Sequence, residues 1–157
     1  MRRIVTEDIA GFMVKVVEVI SWIYYKKDRA KTFQEFKERG ILDVYIRDFE
    51  QKRAMSDAEI IEEMKNLLGF DEIPAHFPHA LLDADTESIQ AIAKAIVREF
   101  NWNYSVALDR FYRSQICGVL SDSKLGFSSI PTEEVLEMFV PQAKAEGWLS
   151  DRKMSAI

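Results

Sequence analysis

A chain of 157 residues that is 48% apolar and 30% charged can build one core and solvate it, which excludes a disordered or fibrous polymer. The net charge of −5 is evenly spread, with 13 basic and 15 acidic residues in 1–78 and 8 and 11 in 79–157. That balance gives no electrostatic basis for non-specific phosphate binding. The single cysteine, Cys117, cannot form an internal disulfide and points to a reducing, cytoplasmic setting.

Strand signals are almost absent and helix caps recur. The first helix is expected over Thr6–Lys26, with Thr6 as cap and Ile9, Phe12, Met13, Val16, Ile20 and Ile23 at helical spacing. Val17, Val19, Trp22 and Tyr24 widen the stripe, so the helix reads as central. Lys15 and Glu18 interrupt it, and it is shorter than the roughly 20 apolar residues of a membrane span. Glu7 and Asp8 stand where a basic leader belongs. No membrane association is expected.

A second helix over Arg29–Arg39 places Phe33 and Phe36 together and stops at Gly40, where glycine permits the left-handed closing turn. A third, Leu42–Phe49, offers Leu42, Tyr45, Ile46 and Phe49. Ser56-Asp57-Ala58-Glu59 is a capping box opening a fourth helix that ends at Gly69. Residues 70–85, with two prolines and no helical period, read as a linker. Asp85 or Thr86 caps the next helix, which uses Ile89, Ile92, Ala93, Ile96, Val97 and Phe100. Another spans Ser105–Leu120, carrying Leu108, Phe111, Tyr112 and Ile116. Pro131 suits the first position of a last helix, and Pro141 should bend or end it early. Residues after Leu149 form a fraying tail.

Sliding the chain by 75 residues superposes Phe36 on Phe111, Ile41 on Ile116, Val44 on Val119, Glu59 on Glu134 and Glu62 on Glu137. With one more residue of shift, Met13, Val16, Ile20 and Tyr24 fall on Ile89, Ile92, Ile96 and Phe100. Caps, stops and apolar positions agree in the same order, which favours an internal duplication. The expected architecture is all-α, of six to seven helices. Two similar units, 1–69 and 86–149, are joined by the 70–85 linker, followed by the 150–157 tail, and pack about a pseudo-twofold axis as one cooperative domain.

No catalytic constellation is legible. The six glycines are separated, and no phosphate-binding glycine motif occurs. His76 and His79 are the only histidines, flanked by Asp71, Glu72, Asp83 and Asp85. Imidazoles with carboxylates can hold zinc or iron, but Pro78 opposes a helix presenting both. Glu62/Glu63 and Glu133/Glu134 read as solvated faces, and Cys117 as a small buried hydrophobe. Asn103-Tyr104-Ser105 matches a glycosylation sequon only by chance in a cytoplasmic chain. Lys26, Lys27, Arg29, Lys31, Lys37 and Arg39 lie beside Trp22, Tyr24 and Tyr25, a mixture able to bind nucleic acid, although Asp28, Glu35 and Glu38 are interleaved. Trp102, Tyr104 and Phe127 at turns, with Tyr112 and Arg113, are candidate contacts for a protein partner.

The segments T-F-Q-E-F-K-E-R-G-I-L-D-V-Y-I-R-D-F-E (32–50), A-L-D-R-F-Y-R-S-Q-I-C-G-V-L-S-D (107–122) and L-G-F-S-S-I-P-T-E-E-V-L-E-M-F (125–139) resemble small helical domains of gut Firmicutes, often encoded beside ADP-ribosyltransferase-like toxins. The resemblance covers most of both halves, as though two single-unit genes were fused. The first half departs from the pattern, with Gln51-Lys52 where Leu-His is expected. The resemblance implies an accessory or antitoxin-like protein and supplies no catalytic residues. The reading is therefore a non-enzymatic, cofactor-free protein-interaction module whose partner is another protein, such as a toxin encoded nearby, with a homodimer compatible. The alternatives are a metal-dependent enzyme centred on His76 and His79, and a nucleic-acid-binding regulator using residues 26–39.

Overall fold

In a computed structural model the protein is described over residues 2–74, 84–122 and 126–149, and among these there is no strand. Nine α-helices follow in order: α1 (Arg2–Tyr24), α2 (Arg29–Glu38), α3 (Ile41–Arg47), α4 (Phe49–Arg53), α5 (Asp57–Leu68), α6 (Ala84–Phe100), α7 (Tyr104–Tyr112), α8 (Gln115–Asp122) and α9 (Thr132–Ala145), with a 3₁₀ turn at Phe127–Ser129. The number exceeds the expected six to seven because α4 begins at Phe49, where the third helix was expected to end, and because the stretch read as one helix over Ser105–Leu120 is broken. At Asp48 the backbone leaves the helical region, separating α3 from α4. At Ser114 the hydroxyl donates to the Phe111 carbonyl (2.6 Å) and accepts from the Cys117 N–H (3.2 Å), capping α8 afresh. Apolar spacing runs straight across both breaks, and so concealed them.

Local chemistry explains most boundaries. Both arms of the Ser56–Glu59 capping box form, at 2.9 and 3.2 Å. Asp28 and Asn103 cap α2 and α7 by accepting from the N–H three residues on. Gly40 and Gly69 take φ of 71° and 79°, a region closed to most side chains. Four further expectations are corrected. α1 begins at Arg2 rather than at a Thr6 cap. Asp85 lies inside α6 and accepts from the Ser128 N–H instead of starting the helix. Pro141 does not stop α9, which continues to Ala145, because proline costs one intrahelical hydrogen bond while packing by Phe139 and Ala143 on either side holds the helix together. Pro131 stands one position earlier than expected, as the N-cap residue.

The principal helix–helix contact is between α1 and α6. Their buried faces include Met13, Val16, Val17 and Ile20 from one helix and Ile89, Ile92, Ala93 and Ile96 from the other. All the other helices contribute to the same hydrophobic cluster, which reaches from Ile9 to Leu149. Element boundaries keep the offset seen in the sequence. α2 and α7 begin 75 residues apart, as do α5 and α9, and α1 and α6 end 76 apart. No helix among the described residues is long and apolar enough to cross a membrane.

Candidate functional site

The residues singled out by sequence are placed unequally. Tyr104, Tyr112 and Phe127 are buried, whereas Trp102 is half-buried and Arg113 exposed. Trp102 stacks on Phe100 at 4.9 Å between centroids, and the Arg110 guanidinium sits between the Trp102 and Trp148 rings at 4.6 and 5.7 Å. Arg113 pairs with Asp109 at 2.7 Å. His76 and His79 lie outside the described residues. Among the described residues no group of three His, Cys, Asp or Glu could hold a metal ion.

The basic 26–39 segment is divided. Lys37 pairs with Asp109 across to α7, and Arg39 with Glu35 along α2. Arg29 turns inward, where its Nε and Nη2 both donate to the Glu18 carboxylate. Its Nη1 donates to Ser121 Oγ at 3.0 Å, and its face lies 4.9 Å from the Phe127 ring centroid. Glu18 is 2% exposed and Arg29 7%, so this fork-to-fork pair is a true interior ion pair. Burial disfavours the guanidinium charge, but the hydrogen bonds and charge of Glu18 outweigh it and hold Arg29 more firmly protonated than usual. Sequence reasoning missed the pair. The available signal was one carboxylate, Glu18, within an apolar helix.

The polar groups around it are not poised for chemistry. Burial pushes the Cys117 thiol up to about 12, so the thiolate that nucleophilic attack requires is not populated near neutrality. The Tyr112 hydroxyl, buried without a hydrogen-bond partner, is driven the same way by burial and by Glu18. Of the paired carboxylates, Glu62 meets Lys65 and Glu63 meets Lys52 at 2.8 Å, while Glu133 and Glu134 lie exposed in the first turn of α9. The Tyr45 hydroxyl beside Glu63 is raised by burial and by that carboxylate, although it makes no hydrogen bond of good geometry.

An apolar groove of about 240 Å³ opens between the end of α6 and α9. Phe100, Leu136, Val140 and Leu149 form its floor and walls, and Glu99, Glu137 and Lys144 its rim. Leu136, Val140 and Lys144 recur at four-residue spacing, so one face of α9 lines about 12 Å of it, or two helical turns. Away from this groove, Met138 on α9 and Val119 on α8 are 49% and 62% exposed. This groove arises from packing between separate helices and had no local sequence signal. No protein-family model, curated protein or solved structure matches the chain.

Proposed function

We propose that this protein is a non-enzymatic interaction module that holds another polypeptide. The observation that carries the reading is the apolar groove between α6 and α9. Its floor is hydrocarbon and its polar groups stand at the rim, which is the anatomy of a protein-binding patch. Elsewhere among the described residues the Cys117 thiol is raised by burial, the Tyr45 and Tyr112 hydroxyls are buried, and Glu62 and Glu63 are paired with lysines. The resemblance to toxin-associated helical domains suggests an antitoxin-like or accessory role in a bacterial cytoplasm, with a toxin or a bacterial complex as partner. The same reading includes an origin by duplication, the two units relating through a pseudo-twofold axis near the α1–α6 contact. It is supported by the constant offset of helix starts and caps. Residues 1–78 produced alone should be molten or should dimerise, and a well-folded monomer would count against duplication.

The interaction reading is tested in the cells that make the protein, with a photoreactive phenylalanine analogue at Lys144, exposed on the rim of the groove, or at Arg47 on the other half as control. A discrete protein adduct from Lys144 and none from Arg47 is the expected result. Nucleic-acid adducts, or none at all, would sink the reading.

A further inference from the structure

The apolar seam between α1 and α6 carries nothing that fixes which helix belongs on which. Met13, Val16 and Ile20 of α1 stand 76 residues before Ile89, Ile92 and Ile96 of α6, and all six are buried. Apolar burial is non-directional, so the same faces suit α1 on α1, or α6 on α6, between two copies of the chain. Charge breaks that equivalence. Glu18 and Arg29, the interior ion pair, have Lys94 and Tyr104 at the offset positions. The second half also completes the guanidinium's surroundings. Ser121 Oγ on α8 accepts from its Nη1 at 3.0 Å, and the Phe127 ring lies 4.9 Å away. Seventy-five positions earlier, those two places hold Ile46 and Lys52.

From this juxtaposition we propose that the Glu18–Arg29–Ser121 contact is a pairing lock. It holds the first half of the chain against its own second half and rejects a like half from another copy. This rests on the duplication reading. A first half in the place of the second would remove the hydroxyl acceptor and set a lysine toward the guanidinium. A second half in the place of the first would put Lys94 where the interior holds the Glu18 anion. A buried pair adds little stability over hydrophobes of similar volume, whereas a buried charge that has lost its partner is strongly destabilising. The pair therefore contributes discrimination between otherwise interchangeable apolar faces, as a single polar residue does in a coiled-coil seam.

The test uses the full chain with Glu18→Leu and Arg29→Met together. Tagged and untagged copies are unfolded in urea, mixed, refolded at high concentration and captured by the tag. The parent should capture almost no untagged chain and give one set of amide signals. The double variant should refold cooperatively, yet capture about ten-fold more untagged chain and give more than one set of signals. Ser121→Ala, at an exposed position, keeps the buried pair and removes only the hydrogen bond between the halves. It should raise capture about five-fold, and it keeps the test decisive if the double variant does not fold. Capture by Ser121→Ala, or by a folded double variant, no greater than the parent's would overturn the proposal. So would free exchange between copies of the parent. If capture is unchanged while residues 1–78 alone are molten or dimeric, only the lock falls. If residues 1–78 form a well-folded monomer, the duplication falls with it.

Discussion

Around α3, α4 and α5 the first half closes its surface with polar contacts, whereas the matching stretch of the second half leaves Val119 and Met138 exposed. Tyr45, Lys52 and Glu63 form a cluster on α3, α4 and α5, with Lys52 bridging the other two by a 2.8 Å ion pair and a 5.1 Å cation–ring contact. Seventy-five residues later stand Leu120, Phe127 and Met138. There Phe127, carried by a 3₁₀ turn instead of a helix, goes into the core, while Met138 remains outside. Val44 is partly buried, and its counterpart Val119 is 62% exposed. A few side chains thus decide whether a helical surface is closed with polar contacts or left apolar.

Breaking the buried pair should have the largest effect. Glu18→Ala leaves Arg29 charged and unpaired in the interior and should cost about 3–5 kcal/mol, whereas replacing both residues with leucine and methionine should cost far less. Urea titration of both variants decides it, and equal losses would mean that packing rather than charge is responsible. Next come Ile20→Ala and Ile96→Ala, fully buried residues 76 positions apart in α1 and α6. Each should cost about 2–4 kcal/mol. If the halves share one core, each substitution lowers a single transition seen by every probe. Two separable transitions, each sensitive to only one substitution, would break the comparison.

The caps sharpen it further. Ser56→Ala and Asn103→Ala should each cost about 1 kcal/mol. They should differ in acid. Hydrogen bonds from the backbone and hydroxyl of Ser56 hold the Glu59 carboxyl below its usual range. A depressed folded value means that this contribution is present above the unfolded value and lost as pH falls through the folded one. Ser56→Ala should therefore show a shallower fall in stability below about pH 4.5 than the parent, while Asn103→Ala should parallel it. The smallest effects belong to the exposed apolar side chains: Val119→Ser and Met138→Gln should stay within about 0.5 kcal/mol. A larger loss in thermal melts would show that these residues already face a neighbour in solution.

Features set by short-range chemistry were legible in the sequence. The Ser56–Glu59 box, the glycine stops at 40 and 69, and the apolar faces of α1 and α6 each depend on residues within a turn or two. The cap at Ser114 was hidden because Ile116 and Leu120 continue the apolar spacing of α7. Arg29 read as one more surface cation because its partner lies 11 residues back on another helix. The left-handed Lys26 and Lys27, with φ of 53° and 67°, were also unmarked, since glycine is the residue that ordinarily announces that conformation. Tyr104, Tyr112 and Phe127, weighed as contact residues, lie in the core, which local pattern could not distinguish from a turn surface.

The three indoles make the molecule its own optical instrument. Trp102 is stacked on Phe100, which lines the groove, and Trp148 directly precedes Leu149, which also lines it. Trp22 instead lies in α1, 38% exposed beneath Lys27. Anything seated against Phe100 and Leu149 would alter the surroundings of two emitters and leave the third as an internal reference. Occupancy becomes readable from intrinsic fluorescence without a label, and Trp22→Phe would remove the constant background.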